Sequence, residues 1–178
     1  MSALEGKAGV NKVAVHSFDM FHEKDSNILG SADVFLEGHR EAVRTEETSV
    51  GNLTADANLA AAQQYDSSVM VSIKNGDGIR AQIGTIQDDG AGNYSELPSL
   101  VNPASGKQAG QVSQLDIENT LKFNHSLTLL TLTAEQLVQV LEHGVAASGW
   151  GSLLRSAVYI SVMTRRWHLV PVFARPLL

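Results

Sequence analysis

The feature that most constrains the fold is a short β-rich run, Val69-Met70-Val71-Ser72-Ile73, that passes through Lys74 straight into Asn75-Gly76-Asp77-Gly78. A brief apolar run without polar alternation reads as a buried strand, and the glycine-bearing turn must end it. A strand stopped this sharply needs helices or other strands on both sides. The flanking sequence supplies them. Ile28 to Glu37 alternates loosely and ends at Gly38, which suits a strand and a turn. Thr48-Ser49 can cap a helix from Val50 to Gln64 whose apolar face carries Val50, Leu53, Ala57 and Ala60 or Ala61.

Downstream, residues 84–109 are rich in Gly, Asp, Asn, Ser and Pro and read as a long surface loop. Ser113 to Leu121 reads as a short helix and Leu127 to Leu132 as a strand. Thr133-Ala134-Glu135-Gln136 is a capping box opening a helix to about Ala147, with Leu137, Val140, Leu141 and Val145 on one side. Strands alternating with helices around a turn-rich insertion predict an α+β fold, a single domain with a mixed β-sheet packed against helices. Residues 1–27 are polar and weakly patterned and read as a linker or an irregular opening segment. His22-Glu23-Lys24-Asp25 within them reads as a solvated charged stretch.

With 178 residues, the chain is long enough for one domain with a core and short for two. It has no cysteine, which removes disulfide frameworks and thiolate zinc sites. No apolar stretch is long enough for a membrane helix, and the first residues lack the basic start and apolar run of a signal peptide. The net charge of -6 is uneven. Residues 149–178 hold no acid, four arginines and both tryptophans, so residues 1–148 carry nine basic against nineteen acidic groups. An acidic body of this kind argues against nucleic acid as a partner.

Two motifs can carry chemistry. In Asn75-Gly76-Asp77-Gly78-Ile79-Arg80 a strand delivers an arginine through a glycine turn. Glycines permit close approach and positive φ, successive N–H groups can form an anion nest, and the guanidinium suits phosphate or carboxylate. A tight turn with a solvated arginine is the simpler alternative. The P-loop ending is missing. Arg40 and Arg44 lie four apart and can share a face, or can pair with Glu37, Glu41, Glu46 or Glu47. They and Arg80 are the only arginines before residue 149. Phe123 in Phe123-Asn124-His125 can stack on a base or sit in the core at a helix end. The six histidines are scattered and none shares metal-ligand spacing with another histidine or an acid, and no catalytic triad or nucleophile elbow is found.

Taken in order, Glu37-Gly38-His39-Arg40, Val43-Arg44-Thr45-Glu46-Glu47-Thr48, Gly51-Asn52-Leu53-Thr54-Ala55-Asp56-Ala57, Val71 to Arg80 and Leu121-Lys122-Phe123 resemble the C-terminal domain of the 5'-nucleotidases, especially the bacterial metallophosphatase/5'-nucleotidase group, over residues 28–148. The resemblance implies a nucleotide-binding domain that works with an N-terminal metallophosphatase domain. That partner domain holds two divalent metal ions and hydrolyses the phosphoester with a metal-activated water. On matching positions, Arg44, Arg80 and Arg40 would contact phosphate or ribose oxygens, Asn75 and the Gly78 turn would hold the nucleoside, and Phe123 would form one wall of a base clamp. The resemblance places the family in the periplasm, at the cell surface or outside the cell.

Several departures accompany the resemblance. Asp77 stands where the family carries glycine, a carboxylate expected to compete with phosphate for Arg80. Asn124-His125 replaces the usual Gly-Asn or Asn-Asn. The metal motifs of the partner domain and the later Phe-Pro-Gln segment with its second aromatic are absent. The expectation is therefore a substrate-binding domain without catalytic residues or metal of its own. The alternatives are a stand-alone nucleoside- or phosphate-binding module and a small self-sufficient hydrolase. Residues 149–178 read as an atypical tail. One explanation is a shifted reading frame, since permitted codons for Ile160 to Thr164 can encode Phe-Ser-Tyr-Asp in another frame. The other is a genuine C-terminus whose Val158 to Val162 run is a strand.

Overall fold

The structure is a computed structural model that describes residues 19–146 and 158–162, with Val145, Ala146 and the last five as backbone only. Residues 1–18 of the expected opening segment, and most of the 149–178 tail, lie outside the described residues. The fold is α+β, and the described strands form three antiparallel two-stranded ladders. The chain divides into two compact units.

The first unit takes residues 1–35 and 83–119. Its described part begins with a helix over 19–26, α1, where the sequence suggests irregular chain. Strand β1 (Ile28–Ser31) pairs with β5 (Gln111–Ser113), with a register shift between Ile28 and Gly30. Helix α4 (Gln114–Thr120) follows β5 directly. The stretch read as a long loop contains a hairpin, β3 (Thr85–Asp88) with β4 (Tyr94–Leu97). Its turn is built by Asp89, whose carboxylate accepts from the Ala91 and Asn93 amides and the Asn93 side chain. Gly90 and Gly92 supply the positive φ that turn requires. Both strands are short, polar and mostly exposed, so hydrophobic periodicity carries no trace of them.

What fixes this unit is a buried polar cluster. Asp25, at the end of α1, is only 6 % exposed, Lys107 5 % and Ser113 0 %. The Asp25 carboxylate accepts from Asn102 Nδ2 at 2.7 Å, Ser105 Oγ at 2.7 Å, Ser113 Oγ at 2.8 Å and Lys107 Nζ at 3.3 Å. Lys107 Nζ also donates to Asp116 Oδ2 at 2.5 Å. Buried charge is tolerated because every oxygen and proton finds a partner. The reading of His22 to Asp25 as solvated is thus corrected: Asp25 is a core residue, and Lys24 pairs with Glu118 at 2.5 Å.

The second unit takes residues 36–82 and 120–178. It holds α2 (Ala42–Thr45), α3 (Ser49–Tyr65), β2 (Val71–Asn75), a 3-10 turn (Gly76–Gly78), α5 (Ala134–Ala146) and β6 (Val158–Val162). Thr48 caps α3, its side chain accepting from Gly51 N. The buried stripe of α3 is Val50, Gly51, Thr54, Ala55, Leu59 and Ala62, whereas Leu53 is 48 % exposed and Ala57 and Ala60 face solvent. Alanine recurs on several faces of this helix, so apolar spacing alone does not single out one stripe. Thr54 can be buried because its hydroxyl donates to Val50 O at 2.9 Å, leaving no stranded donor.

Strand β2 runs two residues later than the apolar run suggests and pairs with β6 from Val71↔Val162 to Asn75↔Val158. Val158 to Val162 is therefore a strand within the unusual tail. The capping box at Thr133 forms as expected: Thr133 N donates to Gln136 Oε1, and Gln136 N to Thr133 Oγ1. Residues 127–132 are not a strand, and Leu127, Leu129, Leu130 and Leu132 are exposed. No described strand lies beside this run to form a ladder with it, and apolar spacing alone cannot supply one. The core of this unit is Val43, Val50, Ala55 and Ile79, with Leu36 and Leu121 packed on it. Among the described residues no helix is long and apolar enough to cross a membrane.

The Asp25 cluster has a pH signature. Burial alone would raise the Asp25 pKa, but hydrogen bonds from Ser105, Ser113, Asn102 and Lys107 outweigh it and lower it from 3.8 to about 2. A depressed carboxylate stabilises the fold above its unfolded pKa, and that stability is lost as pH falls from about 4 toward 2. The gap corresponds to about 2 kcal/mol. In thermal melts, Asp25→Asn is expected to lower the melting temperature at pH 6 and to flatten the loss of stability between pH 4 and 2. A variant as acid-sensitive as wild type in that window would contradict the assignment.

Candidate functional site

Every residue singled out as a site candidate lies in the second unit. Their placement begins at Gly76. A Cβ added there would stand 1.8 Å from the carbonyl oxygen of Val43, so only glycine lets the end of β2 lie against α2. Gly76 and Gly78 do not have positive φ, so close approach, not a left-handed conformation, is what position 76 demands. An anion nest would draw on the successive amides of this turn. The turn is a 3-10 turn whose Ile79 N–H donates back to Gly76 O at 2.9 Å, which uses one of the amides a nest would present. Asp77 sits in this turn without backbone strain, since no non-glycine residue has positive φ.

Leaving the turn, Ile79 plugs into the core at 1 % exposure, and Arg80 N–H donates to Thr120 O at 2.9 Å. This anchors the Arg80 backbone beside the start of the 120–125 segment while its side chain is exposed. The Arg80 guanidinium carbon lies 5.6 Å from the centroid of the Phe123 ring, a cation–π contact. Phe123 is half exposed, so it is not the core residue that a helix-end aromatic could have been. Its ring stacks on His125 with centroids 5.4 Å apart and planes 13° apart. A base stacking on that face has to displace the imidazole.

Asp77 corrects another expectation. Its carboxylate engages Arg44, not Arg80: Arg44 Nη2 lies 2.5 Å from Asp77 Oδ1. The contact is an ion pair without directed hydrogen-bond geometry, and Arg44 Nε is buried with no acceptor among the described residues. Arg44, on α2, thus stands at the turn with its charge partly neutralised. Asn75 ends β2 and is exposed. Arg40 is exposed in the segment before α2, and no described contact brings it to the turn. The structure therefore gathers Arg44, Asp77 and Gly78 at one point and Arg80, Phe123 and His125 at another, joined by Ile79.

Two residues stand out that sequence reasoning passed over as site groups. His125 is one: a histidine two residues from a loop aromatic can stack on it, but spacing does not say that it does. The other is Lys74, whose Nζ approaches to 3.9 Å of the place a Cβ on Gly78 would occupy. Burial lowers its pKa. Among the described residues, no group of three or more His, Asp or Glu is placed to hold a metal ion.

The family model described as "5'-nucleotidase, C-terminal domain" matches residues 28–162, past the Ser148 limit of the motif resemblance and through β6. The chain is 29% identical over 140 residues to the trifunctional nucleotide phosphoesterase protein YfkN of Bacillus subtilis, covering 76% of this chain and 8% of that protein. It is 29% identical over 150 residues to a snake venom 5'-nucleotidase of Gloydius brevicauda, covering 82% and 21%. A second snake venom 5'-nucleotidase, from Macrovipera lebetinus, is 28% identical over 151 residues, covering 82% and 31%. The chain thus spans under a third of the length of these relatives. With most of its length matched by the family model, the chain belongs to the 5'-nucleotidase C-terminal domain family.

Proposed function

We propose that this domain binds the nucleotide for a 5'-nucleotidase-type metallophosphatase and leaves hydrolysis to a separate dimetal domain. The observation that carries the reading is the Arg80–Phe123 contact, which sets a permanent cation beside an exposed aromatic face. A nucleotide offers the complement, anionic oxygens and a flat base, within a few ångströms of each other. Arg80 would take phosphate or ribose oxygens, Phe123 the base, and Asn75 the nucleoside at the mouth of the Gly78 turn. Arg44 and Arg40 would add positive charge. The names of its relatives, nucleotide phosphoesterase and 5'-nucleotidase, support the same ligand class.

One observation favours a second reading. Because Asp77 already neutralises Arg44, the site can suit an uncharged nucleoside better than a phosphate. That would make the domain a nucleoside-binding module without a catalytic partner.

Calorimetry with AMP and adenosine separates these. The nucleotide reading expects AMP to bind more tightly than adenosine, and Phe123→Ala to cost about 1–3 kcal/mol with either ligand, the range of one base–aromatic stack. Tighter binding of adenosine favours the module. With manganese, cobalt or zinc present, AMP should release no phosphate. Turnover that disappears in Arg80→Ala or Phe123→Ala would mean that the domain is itself an enzyme.

Asp77 gives a separate check. Removing its carboxylate frees the Arg44 guanidinium, so Asp77→Gly is expected to tighten binding of a nucleoside monophosphate by about 1 kcal/mol, the upper scale of a partly exposed pair. Equal or weaker binding would count against an anion site at this turn.

A further inference from the structure

The cations at the turn differ in what they already touch. Arg44 faces the Asp77 carboxylate, and Arg80 lies over the Phe123 ring. Lys74 has neither: its backbone pairs in the β2–β6 ladder, and among the described residues its side chain has no ion pair, hydrogen bond or ring contact. It projects from β2 toward the 3-10 turn, with its ammonium 3.9 Å from the Cβ position of Gly78. Its side chain is partly buried, and the resulting loss of water disfavours its charge. A partly buried ammonium with no anion among the described residues is an unmet electrostatic demand, and it gains more from an incoming anion than a surface lysine does. The carboxylate next in the chain cannot meet that demand, because Asp77 is held on Arg44. Gly78 has no side chain to stand between the ammonium and a ligand at the turn.

We propose that Lys74 is a further cation, beside the arginines, that holds the phosphoryl group of a phosphomonoester bound at the Gly76–Gly78 turn. This deepens the nucleotide-binding reading and rests on it for the identity of the rest of the ligand. The competing physical account is snorkelling, in which the lysine stem covers apolar surface and its head simply reaches water. Snorkelling makes no distinction between ligands with and without phosphate.

The test is titration calorimetry of the whole chain, as wild type, Lys74→Gln and Lys74→Arg, with AMP, adenosine and ribose 5-phosphate. Lys74→Gln is expected to weaken AMP and ribose 5-phosphate about three- to tenfold, the effect of one partly screened ion pair. Adenosine affinity should be unchanged, which also reports that the variant is folded. Lys74→Arg should keep most of the phosphate affinity. Unchanged AMP binding in Lys74→Gln, an equal loss for adenosine, or no binding of ribose 5-phosphate to wild type would each overturn the proposal. If ribose 5-phosphate needs Lys74 while AMP is indifferent to Phe123→Ala, the phosphoryl role stands and the nucleotide reading fails.

Discussion

The candidate site depends on one close approach, the backbone of Gly76 against the carbonyl of Val43. A methyl group at position 76 would overlap that oxygen at 1.8 Å, so the end of β2 reaches α2 only as glycine. From that contact the rest follows in sequence. The turn lies beside Arg44, its second residue meets the guanidinium, Ile79 falls into the core formed with Val43, Val50 and Ala55, and Arg80 emerges on the far side toward Phe123. The turn is thus fixed at both ends, by Gly76 against Val43 and by Ile79 in the core.

The two units use different physics for their cohesion. The second is held by a small aliphatic core, whereas the first encloses a carboxylate–ammonium–carboxylate arrangement tied down by two serines and an asparagine. A polar core of that kind is geometrically exacting, because each lost partner strands a buried charge. At the candidate site the charged and aromatic groups are partly satisfied by the chain: Asp77 occupies one face of Arg44, and His125 covers Phe123. A ligand bound there would compete with both contacts, and its apparent affinity would fall by the fraction of molecules in which they are broken.

Much of this was legible in the sequence where local chemistry decides structure. The Thr48 cap, the capping box at Thr133 and the strand running into the glycine turn are all set by neighbours within a few residues. What was not legible depends on distant partners. Asp25 looks like part of a solvated run until Ser105, Lys107 and Ser113 are brought to it, roughly eighty residues away in the chain. The β3–β4 hairpin is too polar to show a hydrophobic period, and Leu127 to Leu132 has the residues of a strand without a described ladder. Motif order picks out the candidate residues but not how they pair: proximity in sequence suggests Asp77 against Arg80, and the 3-10 turn directs it to Arg44 instead.

The central claim is that the Asn75–Arg80 turn and the Phe123–His125 segment act as one ligand site. Amide chemical shifts followed through a titration with AMP test it most directly. The account predicts that the amides of Gly76, Asp77, Gly78 and Arg80 move together with those of Phe123 and His125, along curves that share one dissociation constant. Shifts confined to one of the two segments, or two distinct constants, would contradict it.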